Sequence, residues 1–315
     1  MKEKRGTVSL NEASFRLRPQ APFRLDYTVW ALRRRPGNIV DRWDGVAWRR
    51  VVADDGTVLE VQVTQTGDAK RPVLNVRLLG EQPPVQSTAT MRALLGRMLG
   101  LGTDLSDFYR LARGHRKFDA LAEAFRGVRL PRFPSVFEAL VNGICCQQLS
   151  LTVGITILNR LAEACGDRLD TPGGAVYGFP RPQVLAGLEA ADLKPLGFSR
   201  QKAEALVSLS RQVADNAIDL EGLGAMGDEE ARSMLLRLRG VGRWTADYAL
   251  LRGLGRAAVF PRGDVGARNR LQGLLHARKP LDDEAIDRRL RDCPGFAGLV
   301  YIHLLLSGLC EEGRL

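Results

Sequence analysis

The stretch Leu238-Arg239-Gly240-Val241-Gly242-Arg243-Trp244-Thr245-Ala246 decides the fold. It lies between two segments whose apolar residues have helical spacing, Glu229 to Leu236 before it and Asp247 to Leu254 after it. Two glycines around a small apolar residue permit a tight hairpin between helices and let the backbone approach another surface closely. The second helix then begins with unpaired N–H groups, and such an end holds a phosphate without reading any base. On this reading the contacts to a polyanion fall on Arg239, Gly240, Val241, Gly242, Arg243 and Thr245, with Arg268 further along. A bare Gly-x-Gly also serves as an ordinary helix end, here with Val241 as a core plug.

About twenty residues downstream stands Phe260-Pro-Arg-Gly-Asp264-Val-Gly-Ala-Arg268. Asp264 opens a helical segment running to Leu275, and an Asp at that position is commonly an N-cap. It is also the one acid among the arginines from Arg252 to Arg270. A helix N-terminus favours its ionised form, as a cationic transition state would require.

The charge distribution agrees. The chain has 315 residues, a net charge of +10 and a pI near 9.8. Between Ala231 and Arg270 nine arginines stand against two acids, Asp247 and Asp264. Neutralising phosphates releases counterions, so a segment of this kind points to nucleic acid. The five cysteines (Cys145, Cys146, Cys165, Cys293, Cys310) are odd in number and lie in apolar stretches, as reduced buried thiols do. They contain no C-x-x-C pair, so neither zinc nor an iron-sulfur cluster is implied. The polar start and the shortness of the longest apolar run, Leu299 to Leu306, point to a soluble cytoplasmic protein without a membrane span.

Organisation changes along the chain. From Phe15 to about Leu79, alternating runs (Arg24 to Trp30, Val58 to Val63, Val73 to Leu78) are separated by turns such as Asp54-Asp55-Gly56, which predicts an antiparallel sheet. Glu81-Gln-Pro-Pro84 marks a linker, giving a β-rich unit over 1–85 and a helical unit over 86–315. Helical spacing follows at Met91 to Leu99, Val136 to Ile144 and Ala203 to Val213, with Ser199 as an N-cap and a loop at Gly222 to Gly227. The run Arg33-Arg34-Arg35 reads equally as a solvated face or a DNA contact.

At this point the chain resembles a known family, the helix-hairpin-helix DNA glycosylases, and within it the bacterial 3-methyladenine DNA glycosylase II type. The resemblance rests on the hairpin, on Tyr248 and Leu251-Arg-Gly253 after it, on Asp264, on Ile144-Cys-Cys-Gln-Gln-Leu-Ser150 and on Gly197 to Leu206. It implies an α+β protein, with an N-terminal antiparallel β domain followed by a two-part all-α core and the active site in the cleft between the helical parts. It further implies a monomer that flips a damaged nucleotide out of double-stranded DNA and excises alkylated purines, with Asp264 as catalytic carboxylate. Trp244 and Tyr248, four apart on one helix face, would stack on the base, though core packing explains both equally simply. Gln148 falls at the gap left by the flipped base, and its neighbour Gln147 either touches DNA or satisfies buried backbone groups. Leu305 stands where some members carry a pocket tryptophan. Bifunctional members carry a lysine where this chain has Trp244, so strand cleavage is not expected. No cofactor is implied beyond a monovalent cation at the hairpin carbonyls. Two alternatives share the motifs: a glycosylase for deaminated or oxidised bases such as hypoxanthine, and a non-catalytic DNA-binding hairpin protein.

Overall fold

In a computed structural model, which describes residues 10–82, 85–291 and 293–315, the expected sheet forms from β1 (Asn11–Leu17), β2 (Arg42–Trp43), β3 (Ala47–Asp54), β4 (Thr57–Thr66) and β5 (Val73–Gly80). All neighbours are antiparallel, in the order β1-β5-β4-β3-β2. Its register follows from the alternation: Val61 pairs with Leu78 and Val63 with Val76 on the buried face, while Gln62 pairs with Arg77. The β3–β4 turn is the two-residue Asp55-Gly56, both at positive φ, which matches the twist of the strands it joins.

One expected strand is a helix. Arg24 to Trp30 alternates, but Leu25, Val29 and Leu32 also fit helical spacing, and α1 (Leu25–Arg33) is what forms. Three features favour it. Gln65 accepts from the Leu25 N–H at 2.8 Å, Asp26 lies in the positive first turn, and Arg34 closes the end in the left-handed conformation with its N–H on Trp30 O. Buried on nearly all sides, α1 places Val29 and Leu32 in one core and Ala31 in the other.

The remainder is helical: α2 (Thr88–Met98), α3 (Ser106–Arg113), α4 (Arg116–Ala124), α5 (Val136–Cys146), α6 (Leu151–Cys165), α7 (Pro182–Ala186), α8 (Arg200–Ala214), α9 (Asp228–Leu236), α10 (Arg243–Arg252), α11 (Val265–Leu275), α12 (Asp283–Leu290) and α13 (Ala297–Glu311). Ser199 caps α8 through the Lys202 N–H, as expected. The expectation of helices alone fails at one place, where β6 (Arg168–Thr171) and β7 (Gly174–Tyr177) form a hairpin around Pro172-Gly173. Gly222 to Ala225, expected as loop, makes a short 3-10 turn. Cys145 and Cys293 are buried and Cys146 and Cys165 half-buried; Cys310 is exposed, contrary to expectation, because it lies near the open end of α13. No helix among the described residues is long and apolar enough to cross a membrane.

Two apolar cores result. The first joins the sheet (Trp48, Val61, Val76) to α5, α6, α8, α9 and α10, so the sheet and the middle helices share one interior. The second is made by α3, α4, α11, α12 and α13. The last contains His303, fully buried beside Phe108, with Nδ1 on Leu299 O at 2.8 Å and no partner for Nε2 among the described residues. Burial pulls its pKa down to about 4. A base that is harder to protonate folded than unfolded stabilises the fold fully above its unfolded pKa, near 6.5. That stability is lost as the pH falls from 6.5 towards 4. Urea unfolding should therefore lose about 3 kcal/mol across this window from His303 alone. The acid loss should shrink in His303→Leu, and an unchanged pH profile in that variant would refute the assignment.

Candidate active site

The hairpin forms as its glycines predict. Helix α9 ends at Leu236, Val241 N–H returns to Leu238 O at 3.1 Å, and Gly240 takes φ +76°. A Cβ on Gly240 would stand 2.6 Å from the Ala205 methyl of α8, so both conformation and space require glycine. Val241 is buried in the first core, the plug reading, while it also lines the cleft. Gly242 caps α10 without a side chain, leaving the first-turn N–H groups unblocked. Replacing Gly240 by Ala should cost about 1–3 kcal/mol of stability and weaken duplex DNA binding. Urea melts and a DNA titration check this; a variant that matches the parent in both would contradict it.

The two glutamines separate. Gln147 is committed to the hairpin: its amide donates to Gly240 O (2.8 Å) and to Thr245 Oγ1 (2.6 Å). Its carbonyl and that of Cys145 accept from Lys202 Nζ at 2.7 and 3.0 Å. Gln148, by contrast, is exposed at φ +54°, next to half-exposed Leu149 at the cleft mouth. Thr245, expected to touch DNA, is buried. Its hydroxyl takes the Gln147 amide and its methyl packs on Gly143, where a Cβ would come within 2.7 Å. Two hairpin carbonyls, those of Leu238 and Gly240, are thus already engaged by protein donors.

Asp264 is the N-cap the sequence allowed, and its carboxylate also lines the cleft. Its Oδ1 caps α11 by accepting the Ala267 N–H at 2.9 Å, and its Oδ2 accepts from Tyr301 Oη (2.9 Å) and Trp244 Nε1 (3.3 Å). Burial and the Asp264 charge push the Tyr301 phenol well above its ordinary pKa, so it stays protonated and donates. The carboxylate opens into a cleft of about 850 Å³ between the two helical lobes, together with Trp244, Tyr248, Tyr301, Leu305 and Arg34. No lysine lines this cleft among the described residues.

Two of these residues were not anticipated. Tyr301 lies one turn before Leu305 on α13, so the same helix face that marked Leu305 would have indicated it. Arg34 is neither a solvated residue nor a surface DNA contact. It is 4% exposed, donates to Tyr248 Oη at 3.0 Å and to Asn142 Oδ1, and lies over the Phe133 ring.

The arginine cluster is weaker in space than in sequence. Arg232 pairs with buried Asp247, Arg256 with Asp228, Arg262 with Asp287, Arg268 with Asp283 and Arg270 with Glu312. Arg252 is fully buried on the carbonyls of Pro131 and Ala31. Arg239 pairs with Glu204 outside the cleft, and Arg268 does not line it either. Arg243, at the start of α10, is exposed at the cleft, without an ion pair among the described residues.

A hairpin that offers a bare helix N-terminus beside a cleft holding one aromatic-bound carboxylate defines a helix-hairpin-helix enzyme core. The chain belongs to the HhH-GPD superfamily of base excision DNA repair proteins, whose model matches residues 141–294. It is 30% identical to the DNA-3-methyladenine glycosylase of Bacillus subtilis over 215 residues, 67% of this chain and 71% of the relative. It is 31% identical to DNA-3-methyladenine glycosylase 2 of Escherichia coli over 216 residues, 69% and 73% of the two chains. The solved 3-methyladenine DNA-glycosylase from Archaeoglobus fulgidus superposes with a TM-score of 0.82, covering 93% of this chain and 97% of that one at 26% identity.

Proposed function

We propose that this chain is a monofunctional DNA glycosylase that excises alkylated purines, 3-methyladenine and 7-methylguanine, from double-stranded DNA during base excision repair. The observation that carries the reading is the Asp264 carboxylate, held by Tyr301 and Trp244 in a cleft whose lining contains no lysine among the described residues. The hairpin N–H groups and Arg243 grip phosphate beside the lesion, and Gln148 occupies the gap as the nucleotide turns into the cleft. Cleavage of the C1′–N9 bond leaves positive charge on the sugar, which Asp264 stabilises while water adds at C1′. A binding module would have no use for this carboxylate, since it repels phosphate. The enzyme acts as a monomer in the compartment that holds the DNA, the cytoplasm and its nucleoid.

The test uses a methylated duplex. Free 3-methyladenine and 7-methylguanine should appear with the strand intact until alkali is added. Nicking without alkali, or covalent trapping on DNA by borohydride, would overturn the monofunctional assignment.

A further inference from the structure

The cleft carries more positive charge than the reading above uses. Among the described residues, five arginines (Arg34, Arg35, Arg243, Arg252 and Arg270) line it against two acids, Asp264 and Glu312. Asp264 is held by uncharged donors and forms no ion pair with any of these arginines among the described residues. Such an excess repels a cationic base, so an anion must enter with it. The base arrives as part of a nucleotide, which brings its own phosphates. Arg34 and Arg252 are already committed to Tyr248, Asn142 and backbone carbonyls, and Arg243 stands at the hairpin. Arg35 and Arg270 are the two whose charge has no use yet.

Both face the same carboxylate. Arg35 Nη2 lies 3.4 Å from Glu312 Oε2 and Arg270 Nη2 3.5 Å from Oε1, beyond ordinary hydrogen-bond lengths, while Arg314 Nε holds Oε2 at 2.8 Å. Three guanidiniums thus share one negative charge. Burial lowers the Arg35 pKa, and Arg314, Arg270 and Arg34 add repulsion against the pull of Glu312. Both arginines are seated in advance. Arg35 Nε donates to Thr152 Oγ1 on α6 at 3.2 Å and its Nη1 to the Arg34 carbonyl at 3.1 Å. The Arg270 guanidinium rests on α13 at Gly308, where a Cβ would stand 2.1 Å from Nε, and that Nε is buried with no hydrogen-bond partner among the described residues. The cluster also crosses the cleft, because Arg35 is tied to the first lobe whereas Arg270 and Glu312 belong to α11 and the end of α13 in the second. Glu312 is the weak member: it caps the C-terminus of α13, where the helix dipole disfavours an anion. We propose that Arg35 and Arg270 form a second phosphate site that Glu312 fills in the absence of DNA, and that a phosphodiester of the damaged strand displaces Glu312 as the nucleotide enters the cleft. A phosphate accepts two parallel bonds from a guanidinium, which the distant carboxylate does not. Arg314 keeps Glu312 as it leaves. The inference deepens the glycosylase reading above and rests on it.

The test titrates a duplex containing one tetrahydrofuran abasic analogue at several salt concentrations, with thermal melting to check that each variant is folded. Arg35→Gln and Arg270→Gln should each weaken binding about fivefold or more and reduce the slope of log affinity against log salt by about 1. Glu312→Gln should tighten binding about threefold or more, and the gain should vanish when Arg270→Gln is added. A methylphosphonate, which removes one backbone charge, should weaken binding by the parent at one linkage beside the analogue and cost Arg270→Gln nothing further there. A purely structural cluster would lower the melting temperature and leave the salt slope alone. Parental affinity and slope in Arg270→Gln, or binding by Glu312→Gln no tighter than the parent, overturns the proposal. Release of 7-methylguanine from a methylated duplex is measured on the same preparation. With release intact and the slopes unchanged, this inference alone fails; with no release by the parent, the glycosylase reading fails and this inference with it.

Discussion

Asp264→Asn should reduce base release by about 10²–10⁴-fold while leaving the fold and DNA binding in place. The substitution is informative because Asn keeps the shape and most of the contacts. Its side-chain oxygen still accepts the Ala267 N–H, and Asn caps helices about as well as Asp, so α11 should be unaffected. What disappears is the negative charge and, with it, the pull on Tyr301 Oη and Trp244 Nε1. Loss of an anion beside phosphate should leave affinity for an abasic-site duplex the same or tighter. Single-turnover base release and a binding titration on one preparation separate these effects. A variant that excised alkylated purines at the parental rate would remove Asp264 from the mechanism and leave it only as a cap.

The hairpin and Asp264 were legible in the sequence because their geometry is local. A glycine at positive φ, a bare helix start and an N-cap are all decided within a few residues. The partners of Asp264 were harder to see, since Tyr301 comes from 37 positions away and only packing of α13 against α11 brings it there. Arg34 was hidden for a related reason. Its segment alternates like a strand, and only the helical choice, fixed by Gln65 from β4, delivers the guanidinium to Tyr248. The arginine cluster misled in the opposite direction. The acids that neutralise it, among them Asp228, Glu204, Asp283, Asp287 and Glu312, lie outside the window in which the charge was read. Gln147 shows the same limit, because its role depends on Gly240 and Thr245, more than ninety residues away.

The largest effect on stability should come from Arg50, which joins the sheet to the helical body. It is 1% exposed on β3 and grips two buried carboxylates at once: Asp41 at 2.9 and 3.0 Å and Glu138, in the first turn of α5, at 2.6 Å to both oxygens. Trp48 Nε1 adds a bond to Asp41 at 3.2 Å. Burial drives the Glu138 carboxyl above the usual range, and Arg50 pulls against that shift. Arg50→Met preserves the apolar volume but strands both acids in the interior, and breaking a buried pair from one side costs about 3–5 kcal/mol. Urea unfolding should register that loss. Adding Asp41→Asn and Glu138→Gln should return most of it, because the penalty lies in the uncompensated charges rather than in the missing arginine. Melting of Arg50→Met within about 1 kcal/mol of the parent would contradict this account. The consequence reaches the cleft, since the Glu138 carbonyl accepts from Asn142 at 3.0 Å and Asn142 in turn accepts from Arg34. In the single variant base release should therefore slow even where the protein stays folded, because the seat of Arg34 is built on the helix that Arg50 anchors.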